Sequence, residues 1–392
     1  MSTARYACPE CGSEYLERYA HCPRDGSKLG VRDALCGREL SNRYRVICKI
    51  GNGAMSAVYA ADDLRLEKRV AIKLLHAEVA GGPQAIDRFK REARALSKLR
   101  SEHIIDVYDF HDFQGSQFIV MELLRGEDLE AVVARSGALP IERVGRIVDQ
   151  CCRALEAAHS KGVVHRDLKP ANIFLAQQDG RADYVKLLDF GVAKMMAPDG
   201  SPLFQLTRVG ETWGTPCYMS PEQAEGMPAD RRSDVYALGV VMFELLTGSV
   251  PFEGQSHVTI LQKQVEEPPP PMRADLDVPA AVEDVVLKAL AKHPDERYDT
   301  MSDLNAAFRQ SLHAARKDDL QAALSAYTVP APSAQIRGRL ASIDPDLFDA
   351  LEDLRAVLLT EHQYALRVER EENDRRVRAL EERIHEGDRR NR

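Results

Sequence analysis

The stretch His165-Arg166-Asp167-Leu168-Lys169-Pro170-Ala171-Asn172 carries the strongest signal of fold and chemistry in this chain. Phosphoryl transfer asks a protein to orient a nucleophile and to neutralise charge on the transferred oxygens. Asp167 can accept the proton of an attacking hydroxyl, and Asn172, five residues later, offers an amide oxygen to Mg²⁺. Lys169 lies between them and can place its ammonium group against the moving phosphate.

Two further motifs flank this stretch. Val70-Ala71-Ile72-Lys73 lies upstream and Asp189-Phe190-Gly191 lies downstream, in the order and rough spacing that a two-lobed nucleotide site requires. An isolated His-Arg-Asp could be an exposed turn, but the three motifs together resemble those of the protein kinases. Residues 44–312 resemble, more narrowly, a bacterial eukaryotic-type (Hanks-type) Ser/Thr protein kinase. The resemblance implies an α+β fold with a β-rich N-lobe and a helical C-lobe.

Composition narrows the remaining possibilities. At 392 residues the chain suggests two or three domains, by a prior of about 150 residues each. A formal charge of −8, without a long basic run, disfavours nucleic-acid binding. No run of about 20 apolar residues is present, since the longest candidate, residues 235–246, carries Glu244 and indicates a buried helix. Residues 1–10 contain no apolar signal segment. We therefore expect a cytoplasmic protein that does not bind membranes.

The N-terminus carries a candidate metal site. Of the eight cysteines, several cluster there, in the repeated pattern Cys8-Pro-Glu-Cys11-Gly12 and Cys22-Pro-Arg-Asp25-Gly26. The two halves are similar to the paired knuckles of a zinc ribbon, with Asp25 in place of the fourth cysteine. We predict a zinc-ribbon-like module at residues 1–30 in which Zn²⁺ is bound by Cys8, Cys11, Cys22 and Asp25. His21 and Cys36 are alternative ligands, and a degenerate ribbon without metal is the alternative structure.

The kinase resemblance also assigns an ATP site. An alternating strand from residue 44 leads into a loop similar to the kinase Gly-rich loop, in which Ser56 replaces the third glycine. Backbone N–H groups of this loop would close over the phosphates. The apolar strand at 118–121 resembles the strand that leads into the hinge, whose backbone contacts adenine. The residues implied to bind ATP are Ile50, Gly51, Asn52, Gly53, Ala54, Ser56, Val58, Ala71, Lys73, Met121, Glu122, Leu124 and Phe174.

Residues 83–100 show helical periodicity. In kinases a carboxylate on this helix holds the phosphate-binding lysine, and the resemblance gives that role to Glu92, paired with Lys73. Glu78 and Glu102 are alternatives. The catalytic residues implied are Asp167, Lys169, Lys73 and Glu92, and the implied ligands of Mg²⁺, or of Mn²⁺, are Asn172 and Asp189.

The segment between Gly191 and Ser220 resembles an activation loop. Arg166, before the catalytic base, is typical of kinases whose loop is ordered by a phosphate paired with arginine. We therefore predict phosphorylation of Thr207 or Thr212, by the kinase itself, although loop threonines can also be polar filler. Thr215 would hold Asp167 and Lys169.

Two structural roles carry over from the family as well. Asp234 would anchor the catalytic loop from a central helix, and Glu222 would pair with Arg297.

The flanking segments complete the predicted organisation. Residues 31–43 and 313–344 are predicted as linkers, and residues 345–392 as a helical tail. Apolar residues in approximate heptad positions indicate a coiled coil through which the chain would form a homodimer. A solvated helix and a helix packed on the kinase domain are the alternatives. The expected function is transfer of phosphate from ATP to protein substrates. The alternative is a catalytically silent scaffold that binds partners through the ribbon and the tail.

Overall fold

The computed structural model of the chain describes residues 5–16, 19–53, 56–75, 97, 99–113, 116–178, 181–190, 216–272 and 278–327. The chain divides into two compact units, residues 1–314 and 315–392, of which the second is described only to residue 327. The strands are β1 (Tyr6–Ala7), β2 (Glu14–Tyr15), β3 (Gly30–Val31), β4 (Glu39–Leu40), β5 (Tyr44–Asn52), β6 (Ser56–Asp63), β7 (Lys68–Leu75), β8 (Val107–Phe113), β9 (Ser116–Glu122), β10 (Gly126–Asp128), β11 (Ile173–Gln178) and β12 (Arg181–Leu187).

The helices follow from residue 129 onward. They are α1 (Leu129–Ser136), α2 (Ile141–His159), α3 (Pro221–Ala224), α4 (Arg231–Thr247), α5 (His257–Glu266), α6 (Ala280–Ala289) and α7 (Met301–Tyr327). Short 3₁₀ turns lie at Pro170–Asn172, Pro216–Tyr218 and Pro294–Glu296. The β-rich first half and the helical second half confirm the predicted two-lobed α+β kinase fold.

The N-lobe is a nine-stranded sheet in the order β2-β1-β3-β5-β6-β7-β9-β8, with β4 paired to β5. Its main strands alternate buried and exposed residues, as in β5, because one face covers an apolar core. Tyr44, Ile72 and Phe118 are fully buried in that core. The sheet therefore presents its other face, with Ala71 and Lys73, towards the cleft between the lobes.

The N-terminal module, which we define as residues 5–16 and 19–31, joins the same sheet. Its strand β3 pairs with both β1 and β5, the latter through Val31 and Lys49. Residues 31–43, predicted as a linker, carry β4 and the end of β3, and thus belong to the sheet. Strands of two residues are too short to give a period-2 pattern, so the sequence did not indicate them.

The C-lobe is organised around α4. Most of its residues are buried, including Val235, Tyr236 and Leu238, which confirms the buried helix predicted at residues 235–246. Helices α2 and α6 pack against it, and α2 also contacts strand β12 of the small sheet β10-β11-β12. That small sheet delivers the two segments that carry the site, since the catalytic loop precedes β11 and Asp189 follows β12.

The C-terminal side of the fold differs from the predicted boundary. Residues 313–327, predicted as the start of a linker, continue α7, because an alanine-rich sequence without glycine or proline favours helix up to Tyr327. The predicted helix at 83–100, the activation loop up to residue 215 and the tail at 345–392 lie wholly or largely outside the described residues. Within the described part of the chain, none of the helices is both long enough and apolar enough to cross a membrane.

Candidate functional site

The catalytic loop is held by a buried carboxylate on α4. Asp234 is fully buried and accepts hydrogen bonds from the backbone N–H groups of His165 and Arg166, each at 2.8 Å. Nε2 of His159, at the end of α2, lies 2.7 Å from the same carboxylate. Arg166 has a left-handed backbone (φ 62°), a conformation that costs energy in a residue other than glycine and that these bonds stabilise. Asp234 thus anchors the catalytic loop, as predicted.

Three of the predicted catalytic and metal-binding residues lie together in this loop. The amide Nδ2 of Asn172 donates to the backbone oxygen of Asp167 at 2.7 Å and to its Oδ2 at 3.2 Å. Nζ of Lys169 lies 3.9 Å from Oδ2 of Asp167. The bonds to Asp167 use the nitrogen of the Asn172 amide, so its oxygen is the atom suited to face a cation.

The second half of the site comes from the N-lobe. Lys73, on β7, places Nζ 2.6 Å from Oδ1 of Asp189, which lies two residues after the end of β12. Desolvation alone would raise the pKa of Asp189, but the charge of Lys73 outweighs it and holds that pKa below its usual range. Asp189 is therefore a carboxylate, the form that binds Mg²⁺. Glu92, the predicted partner of Lys73, lies outside the described residues.

His165 joins the two halves. Its ring packs against Phe190 with centroids 4.5 Å apart, and its Nε2 lies 3.1 Å from the backbone oxygen of Leu188. Burial lowers the pKa of His165, so the imidazole is neutral here. The backbone N–H of Leu188 also donates to the backbone oxygen of Asn172 at 2.9 Å. These contacts fix Asp189 relative to Asp167.

The predicted adenine-binding positions lie on neighbouring strands. Ala71 on β7 lies opposite Ala60 on β6 and Met121 on β9, so the three side chains share one face of the sheet. Val58 lies opposite Gly51 on one side and Lys73 on the other. The structure thus brings these predicted ATP-binding positions to one surface.

The other predicted ATP-binding positions lie in the Gly-rich loop and on β11. The N–H of Gly53 donates to the oxygen of Ser56 at 2.8 Å and closes the Gly-rich hairpin. Asn52 and Ile50 are exposed, and Phe174 is half-buried on β11. Ala54 lies outside the described residues, as do Thr207, Thr212 and Thr215.

The hinge shows a contact that the sequence did not predict. The carboxylate of Glu122 lies 2.7 Å from Nζ of Lys186 on β12 and accepts the backbone N–H of Asp106 at 2.8 Å. Lys186 is buried (6% exposed), and its ammonium therefore needs this counter-charge. The only sequence signal was one lysine within an apolar strand, Val185-Lys186-Leu187-Leu188. Leu123 and Leu124, which follow, pack against different apolar clusters.

A buried ion pair lies in the C-lobe next to a residue that contacts the catalytic loop. Arg297 donates from Nη1 and Nη2 to the two carboxylate oxygens of Glu222, both at 2.8 Å, which confirms the predicted pair. Ser233 donates to the same carboxylate at 2.6 Å. Gln223, next to Glu222, donates to the backbone oxygen of Arg166 at 2.9 Å. The pair thus supports the segment that follows the activation loop.

The N-terminal module brings four potential metal ligands together. Ligand atoms of Cys8, Cys11, Cys22 and Asp25 all lie within 4.8 Å of one another. The sulfur atoms of Cys11 and Cys22 are 3.7 Å apart, and the sulfur of Cys8 lies 3.2 Å from Oδ2 of Asp25. Two thiolates on one tetrahedral zinc at about 2.3 Å lie roughly 3.8 Å apart, so the spacing fits. The alternative ligands His21 and Cys36 are not in this group.

The two knuckles have the same backbone geometry. The glycine N–H donates to the oxygen of the first cysteine in each, Gly12 to Cys8 at 3.0 Å and Gly26 to Cys22 at 2.9 Å. Both glycines have φ near +70° (71° and 76°), the left-handed conformation that such a turn requires. Asp25 occupies in the second knuckle the place of Cys11 in the first.

The chemical form of Asp25 also suits a metal. A hydrogen bond with the Cys11 thiol and another from the N–H of Ser27 hold the pKa of Asp25 well below its usual range. A carboxylate with two cysteines buried beside it can ligate Zn²⁺.

Comparison with known proteins gives consistent matches. Residues 44–308 match the family model described as "Protein kinase domain". The chain is 42% identical over 291 residues to the serine/threonine-protein kinase pkn3 of Myxococcus xanthus, covering 73% of this chain and 52% of that protein. It is 37% identical over 286 residues to PrkC of Bacillus subtilis, covering 73% and 43%. The chain thus spans about half the length of the curated relatives it matches, or less.

Solved structures of kinase domains also match the fold of this chain. The crystal structure of the Mycobacterium tuberculosis PknI kinase domain superposes with a TM-score of 0.55 and 27% identity. The superposition covers 71% of this chain and 100% of that one.

Proposed function

The chain belongs to the protein kinase domain family, and on that premise we propose that it transfers the γ-phosphoryl group of ATP to Ser or Thr hydroxyls of protein substrates. One observation carries the proposal. Lys73 and Asp189 form a direct ion pair at 2.6 Å, and Asp189 is tied through Leu188 to the loop of Asp167 and Asn172. A phosphate-binding cation, two metal-type ligands and a base therefore lie in one cleft.

Each residue has a separate task in this proposal. Lys73 would hold the α and β phosphates, and the shared face of Ala71 and Met121 would contact adenine. Asn172 and Asp189 would hold Mg²⁺, or Mn²⁺, which neutralises charge on the transferred oxygens when bound. Asp167 would orient the substrate hydroxyl and accept its proton, held in place by Asn172 and Lys169. In the sequence, Lys169 and Gly214-Thr215 together are typical of the Ser/Thr class of kinases rather than the tyrosine class.

The silent-scaffold alternative is not favoured. Degenerate kinases usually lack the lysine or one of the two catalytic aspartates, whereas Lys73, Asp167 and Asp189 are all present and engaged. Self-phosphorylation at Thr207 or Thr212, homodimerisation through residues 345–392 and a cytoplasmic location stay predictions.

Activity is tested with an array of Ser/Thr peptides incubated with the full chain and Mg-ATP. We expect phosphate on a subset of Ser/Thr peptides, and none with Asp167→Asn. Labelling that is equal in wild type and Asp167→Asn, or absent with the wild type although it binds ATP, would contradict the proposal.

We propose further that the N-terminal module binds one Zn²⁺ through Cys8, Cys11, Cys22 and Asp25. The shared geometry of the two knuckles supports this, and so does the carboxylate form of Asp25. Zinc would link the two knuckles of a segment too small to fold alone.

The zinc proposal has its own test. We expect one zinc per chain by elemental analysis, an affinity lower by roughly tenfold or more in Asp25→Ala, and recovery in Asp25→Cys, which restores a fourth thiolate. Ser13→Ala is the control, since Ser13 lies beside the cluster without contributing a ligand. Wild type without zinc after reconstitution would refute the site.

A further inference from the structure

The N-terminal module contacts the kinase lobe at the hinge, where a kinase holds adenine. The link from the second knuckle is a short chain of hydrogen bonds. Oδ1 of Asp25 accepts the backbone N–H of Ser27 at 3.0 Å, and Oγ of Ser27 accepts Nη2 of Arg125 at 3.0 Å. Arg125 directly follows the hinge leucines Leu123 and Leu124. One proposed zinc ligand is thus two hydrogen bonds from the hinge.

The end of the hinge is itself rigid. The backbone oxygen of Arg125 accepts the N–H of Gln177 on β11 at 2.8 Å. The next residue, Gly126, has φ +144°, and a Cβ there would lie 2.1 Å from the oxygen of Leu175. Only glycine fits at this position, so the backbone beside Arg125 packs closely on β11, and the arginine side chain extends from a defined point at the end of the hinge.

A second arginine contacts the first knuckle. Nη1 of Arg69, on β7, donates to the backbone oxygen of Pro9, between Cys8 and Cys11, at 2.8 Å. The packing is close, since a Cβ at Gly12 would lie 3.2 Å from Nη2 of Arg69. Arg69 lies two residues before Ala71, on the strand of the adenine slot. Each knuckle is therefore bound by one arginine from an element that borders the nucleotide site.

Apolar contacts lie between these two arginines. Ala7 of the module is buried in a cluster with Cys48 and Ala60, and Leu123 of the hinge packs against that cluster. Cys48 and Ala60 are cross-strand neighbours, and Ala60 is in turn opposite Ala71. The module thus packs at the edge of the row of side chains that lines the adenine slot.

We propose that metal binding to the N-terminal module tightens adenine binding at the hinge, with Arg125, Ser27 and Arg69 as the positioning residues that carry the coupling. The inference rests on the proposed zinc site and kinase function. The knuckles are metal-linked turns, so loss of the metal would release Pro9 and Ser27 from their fixed positions. Arg69 and Arg125 would then lose those partners, and the hinge would lose a support on one side.

Linkage makes the proposal quantitative. If zinc raises adenine affinity by some factor, adenine must raise zinc affinity by the same factor, and couplings of this kind are typically about fivefold or more. Adenosine is the suitable probe, because it occupies the adenine slot and has no phosphates that could bind zinc. The full chain is measured by calorimetry in zinc-loaded and zinc-stripped forms, with zinc content checked by elemental analysis.

We expect zinc-loaded chain to bind adenosine at least about fivefold more tightly than stripped chain. Saturating adenosine should raise zinc affinity, measured by competition with a chromogenic chelator, by the same factor. Arg125→Ala and Ser27→Ala keep all four zinc ligands, so their zinc content should be unchanged. In both variants the ratio of adenosine affinities, zinc-loaded over zinc-stripped, should fall towards one. Arg135→Ala is the matched control, since Arg135 is an exposed arginine paired with Glu127 on the same lobe. It should keep the wild-type ratio.

Four outcomes would contradict the proposal, and they are distinguishable. Equal adenosine affinity of loaded and stripped wild type would refute the coupling while leaving both binding sites intact. Absence of zinc after reconstitution would refute the metal site itself. Absence of adenosine binding in both forms would refute the nucleotide site. A full wild-type ratio in Arg125→Ala would show that Arg125 does not carry the coupling.

Discussion

Nε2 of His159 lies 2.7 Å from the fully buried carboxylate of Asp234, which also accepts the backbone N–H groups of the catalytic loop. Three donors thus converge on one carboxylate, and a change at Asp234 would alter the acceptor that all three share.

Asp234→Asn is therefore expected to impair phosphoryl transfer more than nucleotide binding. The amide would turn a donor towards the N–H groups and displace Asp167, and a displacement of about 1 Å can reduce kcat by roughly a hundredfold. Lys73 and the adenine face are not altered, so the Kd for ATP should change little. Asp230→Asn, at the exposed N-cap of the same helix, is the control and should keep its kcat. Equal kcat in both variants would contradict this role.

The Glu222–Arg297 pair is expected to stabilise the C-lobe. Arg297 is buried and bidentate, and it also donates to three backbone oxygens, those of Ala291, Arg232 and Lys292. Arg297→Lys cannot reproduce this geometry, so the free energy of unfolding in urea should fall by about 3–5 kcal/mol. Arg153→Lys, in the exposed pair with Asp149, should cost less than about 1 kcal/mol. Similar losses in the two variants would refute the estimate.

The buried His165 is expected to make the free energy of unfolding depend on pH. Burial lowers its pKa in the folded chain below the ordinary value of 6.5, so the unfolded chain binds more protons as the pH falls below about 6.5. Its contribution to stability is therefore present above pH 6.5 and is lost as the pH falls towards the folded pKa.

In measurements from pH 7.5 to 5.5, the wild type should lose about 1 kcal/mol more of its free energy of unfolding than His165→Phe. His257→Gln, an exposed histidine on α5, should follow the wild-type curve. Parallel curves for wild type and His165→Phe would show that His165 is not neutralised by folding.

The contact between Glu122 and Lys186 is suited to a double-mutant cycle. Glu122→Gln leaves the buried ammonium of Lys186 without its counter-charge, which should cost about 3 kcal/mol of unfolding free energy. Adding Lys186→Met removes the unpaired charge and should recover part of that loss. If the double variant is as unstable as the sum of the single ones, the pair is not coupled.

The proximity of the predicted site residues in the catalytic loop could be predicted from the sequence because the motifs are local. Asp167 and Asn172 are five residues apart, and Asp189 lies just beyond a strand with a recognisable apolar pattern. The family resemblance also placed Asp234 and the Glu222–Arg297 pair correctly, although these contacts bridge 68 and 75 residues.

The position of the N-terminal module was not predictable in the same way. Strands β1, β2 and β3 contain two residues each, too few for a periodic pattern. Arg125 and Ser27 are 98 residues apart, and exposed arginines are common in any sequence. Lys186 was similarly overlooked, because a single lysine in an apolar strand does not identify its partner. Side-chain contacts of this kind depend on the folded geometry and leave no local pattern.

The most direct test of the central claim is intact mass spectrometry of the full chain after incubation with Mg-ATP, beside Asp167→Asn and Lys73→Met. The account predicts added phosphate on the wild type alone, mapping to Thr207 or Thr212, because only the wild type has both the base and the phosphate-binding cation. A wild type that binds ATP but gains no phosphate and labels no Ser/Thr peptide would contradict it, as would equal phosphate on all three proteins.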